Sequence, residues 1–317
     1  MFKNKNLKFY SSSSSSSSSS ETTTSAAPRR HRRRRRRRLG ERKGASSSSA
    51  SVKASTTTPT TQLSSRSSSV NVIVKICGVT TKEDCRCAID AGATHVGMIL
   101  WPKSKRSIAR EVAKEIVEEC KKKKSSSSDA TVTPVAVFVD EDGETITEIC
   151  EDIGCDHAQL HGEKAREALK DIPNKIKVIW VCSADESGRI VTKLPGESEE
   201  ELTSRRAKML SGEQGWKAAI DWVNGPRKTV DYVLVDGLNA GSGERFEWSN
   251  LKVPRGCSRK GWILAGGLTP ENCSEAVMVL RPNGVDVASG VCDESGVKKS
   301  VEKCNAFVSN VKVAASK

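Results

Sequence analysis

From residue 70 onward, two hydrophobic patterns take turns along the chain. Short runs rich in β-branched residues fall at 71–77, 95–100, 133–139, 157–161, 177–182, 231–236, 262–266 and 284–288. Most are nearly continuous in apolar residues, which suits strands buried on both faces of a parallel sheet. Between them, apolar residues recur at helical spacing: Ile108, Val112, Ile116 and Cys120, then Ile146, Ile149 and Ile153, and finally Val301, Cys304, Val308 and Val311. Gly78 breaks the first strand, and Thr80-Thr81-Lys82-Glu83 has the form of a capping box at the next helix start. Thr269-Pro270-Glu271 predicts a second such start, with proline in the first turn. Eight strands alternating with eight helical segments over residues 70–317 predict a (β/α)8 TIM barrel. A doubly wound open sheet is the competing architecture, but no G-x-G-x-x-G follows the first strand. Two connections are long: residues 121–129 read as a polar surface insertion, and residues 183–230 hold a helix and a polar excursion.

Charge separates this body from what precedes it. Residues 1–69 carry sixteen Lys and Arg against two Glu, a net of +14, whereas residues 70–317 carry 36 against 37, a net of −1. The barrel is therefore neutral, and nothing in it suggests a nucleic-acid surface. The tail contains a serine run at 11–20, an arginine run at 32–38 and further Ser and Thr from 46 to 69. With so few apolar residues it is expected to be disordered. A Ser-rich, Arg-rich, acid-poor segment fits an organelle transit peptide, addressed to the import machinery of a plastid. Nuclear import or RNA binding is the alternative reading, but no aromatics interleave with the arginines. No apolar stretch reaches the length of a membrane span. The eleven cysteines are odd in number, lack any C-x-x-C spacing and mostly fall in apolar stretches, so they read as reduced thiols and not as zinc ligands.

On a barrel of this kind, chemistry gathers at the C-terminal ends of the strands. Cys77 stands at the first of these, Gln159 and His161 at the fourth, and Asp236 at the sixth. Gly266-Gly267 follows the seventh strand, and the eighth carries Asp286 and then Ser289-Gly290. Glycine-rich turns at the last two strands let backbone N–H groups approach an anion, which makes Gly266, Gly267, Ser289 and Gly290 a candidate phosphate site. Two tight turns that bind nothing would look the same at either position alone. A thiolate at Cys77 and a carboxylic acid at Asp236 would suffice to move protons in an aldose–ketose isomerisation. For that, Cys77 is expected to be shifted down by a cation such as Lys75, two residues earlier, and Asp236 to be shifted up by burial or by Asp286. The plainer readings are an inert core thiol and a helix-capping carboxylate.

These stretches together resemble the phosphoribosylanthranilate isomerase family of tryptophan biosynthesis. The resemblance runs through "VKICGVTTKED", "GATHVGMIL", "PKSKRSI", "AVFVDE", "AQLHGE", "VLVDG", "GSGERFEW", "LAGGLTPENC" and "PNGVDVASGV", in family order over nearly all of residues 72–312. It implies that Cys77 is the general base and Asp236 the general acid. It further implies that Arg106 holds the anthranilate carboxylate, that Gln159, His161 and Asp286 line the site, and that the reaction needs no cofactor or metal. The chain departs from the family's usual residues at Gly237, Ala240, Ala288 and Cys292. Two other readings remain at this point: a catalytically inactive phosphate-binding barrel, and another phosphate-binding barrel enzyme such as indole-glycerol-phosphate synthase, which would want a Lys/Glu pair in place of Cys77 and Asp236.

Overall fold

A computed structural model describes residues 72–122, 131–193, 197–209, 230–237, 245–251, 253 and 258–317. The N-terminal tail, most of the 121–129 insertion, much of the 183–230 connection, Ala240 and Cys257 lie outside the described residues. Eight parallel strands close in sequence order: β1 (Ile73–Ile76), β2 (His95–Ile99), β3 (Thr133–Phe138), β4 (His157–Leu160), β5 (Lys177–Ala184), β6 (Tyr232–Gly237), β7 (Trp262–Leu264) and β8 (Gly284–Val287). β8 returns to β1 with Lys75 opposite Asp286, so the expected TIM barrel is the fold.

The helices are α1 (Lys82–Ala91), α2 (Arg110–Lys122), α3 (Gly143–Ile153), α4 (Glu163–Glu167), α5 (Glu199–Met209), α6 (Cys273–Leu280) and α7 (Val301–Ala315). Between β6 and β7 the described residues hold only a single 3-10 turn, Trp248–Asn250, where the alternating pattern predicts a helix. The capping box at α1 sits one residue later than its sequence signature. Thr81 is the N-cap and accepts from the Asp84 backbone, while Asp84 in turn accepts from the Thr80 hydroxyl at 2.9 Å. α6 starts at Cys273, not at the Thr269-Pro270-Glu271 signal. Asn272 accepts from the Thr269 backbone at 2.8 Å, closing a turn before the helix. Val301, read as part of the last apolar stripe, is 63 % exposed as the first residue of α7.

Two hydrophobic layers result from side chains alternating across each strand. Even positions of β1, such as Val74 and Ile76, face outward into a large shell against the helices. A much smaller inner core of Val135, Ile179, Val181, Tyr232, Leu234, Ile263 and Ala265 fills the barrel. At the N-terminal end His95 packs edge-on against His157 and Tyr232, with ring centroids 6.3 and 6.5 Å apart. Burial there pulls His95 down to about 3, so this end is closed by a neutral imidazole. At the C-terminal end the inward positions become polar. The ten described cysteines are free thiols, nine of them buried, as the scattered spacing implies.

Candidate active site

β1 places Lys75 and Cys77 on its inner side, one above the other. Lys75 is fully buried, and its ammonium lies 2.9 Å from Asp286 Oδ1 on the neighbouring strand. A cation in the interior persists only with such a partner. Asp286 and the adjacent thiol hold the Lys75 ammonium above its ordinary range, against the opposing effect of burial. The space for this cluster comes from Gly97 on β2. A Cβ added there would lie 2.6 Å from Cys77 Sγ and 3.0 Å from Lys75 Nζ. Gly97→Ala is therefore expected to displace the thiol. A misplacement of this kind should lower kcat by roughly 10²-fold with only about 1–3 kcal/mol of lost stability from overpacking. Steady-state kinetics beside thermal melts would check this, and an unchanged kcat would mean that the thiol has room to move.

Cys77 is ionised less readily than its sequence context suggests. Burial pushes its thiol up, and although Lys75 and Lys299 pull it down, Asp286 adds to the rise. The expectation of a depressed thiol is thus corrected: desolvation at 5 % exposure outweighs the two cations. Asp236 behaves as expected. Burial, reinforced by the Asp286 charge, lifts it to about 7, against a hydrogen bond from the Gly237 backbone at 2.8 Å. The carboxyl therefore still holds a proton over part of the neutral range. His161, 3.7 Å from Asp236, is pulled down to about 4 by burial and by Arg166. This contact joins a neutral imidazole to a carboxyl and is not a full ion pair. His161 Nδ1 also lies 3.3 Å from the amide nitrogen of Gln159, whose buried Oε1 has no partner among the described residues.

Arg106, on the loop after β2, folds back over the residue that follows the thiol. Gly78 adopts φ +66°, and a Cβ there would meet Arg106 Cδ at 2.8 Å and Nε at 2.9 Å. Arg106 is 5 % exposed; it donates through Nη1 to the Gly296 carbonyl at 2.8 Å, while its buried Nε has no partner among the described residues. The loops after β7 and β8 meet as the glycine pattern suggests. Gly266 and Gly267 have positive φ, and the Gly267 carbonyl accepts from Asn272 at 2.8 Å. Gly290 presses on the Leu268 carbonyl so closely that a Cβ would come within 2.0 Å of it. Gly266 also approaches the acid, since its Cβ would lie 3.1 Å from Asp236 Oδ1.

The structure thus gathers Cys77, Gln159, His161, Asp236 and Asp286 at one end of the barrel, with Arg106 and the two glycine turns around them. Lys75 is the cation that the sequence places two residues before the thiol. Gly97 and Lys299 carry no such signal in the sequence.

The sequence pattern of the family described as N-(5'-phosphoribosyl)anthranilate isomerase matches residues 74–199 and 220–310. The chain belongs to the phosphoribosylanthranilate isomerase family. Among relatives of known function, N-(5'-phosphoribosyl)anthranilate isomerase 2, chloroplastic, of Arabidopsis thaliana is 35 % identical over 240 residues, covering 76 % of this chain and 74 % of the relative. The crystal structure of the isomerase from Thermotoga maritima superposes with a TM-score of 0.57 at 30 % identity, covering 76 % of this chain and 99 % of that one. A further family structure holds reduced 1-(o-carboxyphenylamino)-1-deoxyribulose 5-phosphate, with a TM-score of 0.51, 28 % identity and coverage of 76 % and 99 %. Membership of this family replaces the two other barrel readings. It leaves the role of each side chain to be argued from the geometry above.

Proposed function

We propose that Cys77 and Asp236 are the base and acid with which this chain isomerises N-(5-phosphoribosyl)anthranilate to 1-(2-carboxyphenylamino)-1-deoxyribulose 5-phosphate. The observation that carries the proposal is the buried Lys75–Asp286 pair, whose charges act on both the thiol and the acid. Asp236 delivers its proton to the furanose ring oxygen as the bond from that oxygen to carbon 1 breaks, leaving an open-chain Schiff base. The Cys77 thiolate then removes the proton on carbon 2, and the electron pair moves to the nitrogen to give an enolamine. Tautomerisation of the enolamine yields the ketone. Each proton transfer to or from a placed group is worth about 10²–10⁴-fold. Gln159 and His161 line the sugar beside the acid. The backbone of Gly266, Gly267, Ser289 and Gly290 receives the phosphate. A fluorescence assay of phosphoribosylanthranilate consumption tests the reaction itself, and no consumption by folded protein would refute it.

Arg106 is assigned to the anthranilate carboxylate because a planar guanidinium whose buried Nε has no partner among the described residues suits bidentate recognition of a carboxylate. Arg106→Ala is expected to act mainly on KM, weakening binding by about 2–3 kcal/mol. An unchanged KM would move the role to Lys103 or Lys105.

The catalytic domain is assigned to residues 70–317 and the tail to a plastid transit peptide. The tail's composition supports this, as do the Arabidopsis relatives named as chloroplastic. A protein beginning at residue 70 should keep its melting temperature and its activity. A fluorescent reporter fused to residues 1–69 should reach plastids, and nuclear accumulation would overturn that address.

A further inference from the structure

Lys299 is a second buried lysine, 4 % exposed, and unlike Lys75 it pairs with no carboxylate among the described residues. An unneutralised ammonium in the interior is costly unless every N–H bond is used. Here all three are used, and two of the acceptors belong to the reaction site. Lys299 Nζ donates to the Cys77 carbonyl at 2.7 Å, to the Ala288 carbonyl at 2.9 Å and to Cys292 Sγ at 3.3 Å. Cys77 is the residue assigned as base, and Ala288 immediately precedes the Ser289-Gly290 turn assigned to phosphate. Cys77 is also held from its other side, its N–H donating to the Val287 carbonyl at 2.8 Å. The lysine is fixed in turn through its own backbone, which donates to Asp84 Oδ1 at 2.9 Å at the start of α1.

We infer that Lys299 is a positioning residue for the isomerisation: it ties the end of β1 to the turn after β8 and holds a positive charge against the backbone carbonyl of Cys77. The inference rests on the reading of Cys77 as the base. The charged and titratable groups around the thiol are Lys75, Asp286 and Lys299. Those around Lys299 are Asp84 and Cys87 from α1, Cys292 from the turn after β8, and Cys304 from α7, while Lys303 Nζ reaches the Cys292 carbonyl at 2.8 Å. Cys292 Sγ also lies 3.2 Å from the Ala288 carbonyl and 3.5 Å from the Val297 carbonyl, so the same sulfur links Lys299 to the turn after β8.

The test follows iodoacetamide labelling of Cys77 in the full-length protein against pH, with the Cys77 peptide read by mass spectrometry. Lys299→Met is expected to move the labelling curve up by a fraction of a pH unit, slowing labelling at neutral pH roughly two- to threefold, and to lower kcat/KM in the same direction. Lys299→Arg keeps the charge and should restore most of both. A folded Lys299→Met protein with an unchanged labelling curve overturns the inference. Should that variant not fold, Lys299→Gln keeps N–H donors for the two carbonyls while removing the charge. The same upward shift is expected there, and its absence would be equally decisive. Labelling reads the thiol itself, so a failure here is distinguishable from a failure of Cys77 as base, which would appear as activity surviving Cys77→Ser.

Discussion

Cys77→Ser is expected to lower kcat by about 10²–10⁴-fold while leaving the barrel folded, because a hydroxyl is a far weaker base than a thiolate. Asp236→Asn should do the same, since an amide keeps the shape but has no proton to give. Both variants should still bind a product analogue, the carboxylate and phosphate anchors lying on other loops. The pH profile carries more information than either loss. The active form needs a thiolate with a protonated Asp236. In the free protein, however, Asp236 sits at about 7 and the Cys77 thiol is pushed up. The first proton lost on raising the pH thus comes mostly from the acid. The productive arrangement is the minor partner of that singly deprotonated state, in which the thiol has given up the proton instead. kcat/KM should accordingly rise through about pH 7 and fall only above the elevated thiol value, each limb belonging to the coupled pair. A rising limb near pH 4 would show that Asp236 is not perturbed, and near-wild-type activity in Cys77→Ser would remove the thiol from the mechanism.

The second large effect is expected at Lys75. Lys75→Met leaves Asp286 buried at 8 % exposure without its partner at 2.9 Å. Removing one member of a buried pair costs about 3–5 kcal/mol, so denaturant or thermal unfolding should show a loss of that size. Activity should fall as well, since the thiol loses its nearest cation. The double variant Lys75→Met/Asp286→Asn removes the pair as a whole and should recover much of the stability while staying slow. A Lys75→Met protein as stable as the parent would mean that Asp286 finds water or another donor, and that the pair does not organise the site.

Comparison of these two sites shows what could be read from the chain and what could not. Strand order, the inward-facing polar positions and the glycine turns follow from alternation and local turn chemistry, which are properties of neighbouring residues. Lys75 follows for the same reason, from its place two residues before Cys77 on the same side of the strand. The direction of the Cys77 shift was misjudged because desolvation depends on what closes over the thiol from β2 and β8. Gly97 matters through the volume it leaves empty, which no local pattern records. Lys299 reaches Cys77 across 222 positions of sequence, from within a pair of lysines that reads as solvated. The helix signal at Thr269 marks the turn that leads into α6: the Thr269 carbonyl accepts from the Cys273 N–H at 3.1 Å and Asn272 accepts from the Thr269 N–H, with regular helix from Cys273 onward.

The separation of the outer shell from the small inner core has an evolutionary consequence. Cohesion between strands and helices resides in residues such as Val74, Ile76, Phe138, Trp180 and Phe307, none of which belongs to the reaction site. The groups at the mouth are carried on strand ends and loops above that shell. Side chains there can be exchanged one at a time without unmaking the packing that holds the barrel closed. Such an arrangement gives a lineage room to drift among phosphosugar substrates while the scaffold stays the same. Lys75 and Asp286 are the exception, because each is tolerable in the interior only with the other, and they would have to change together.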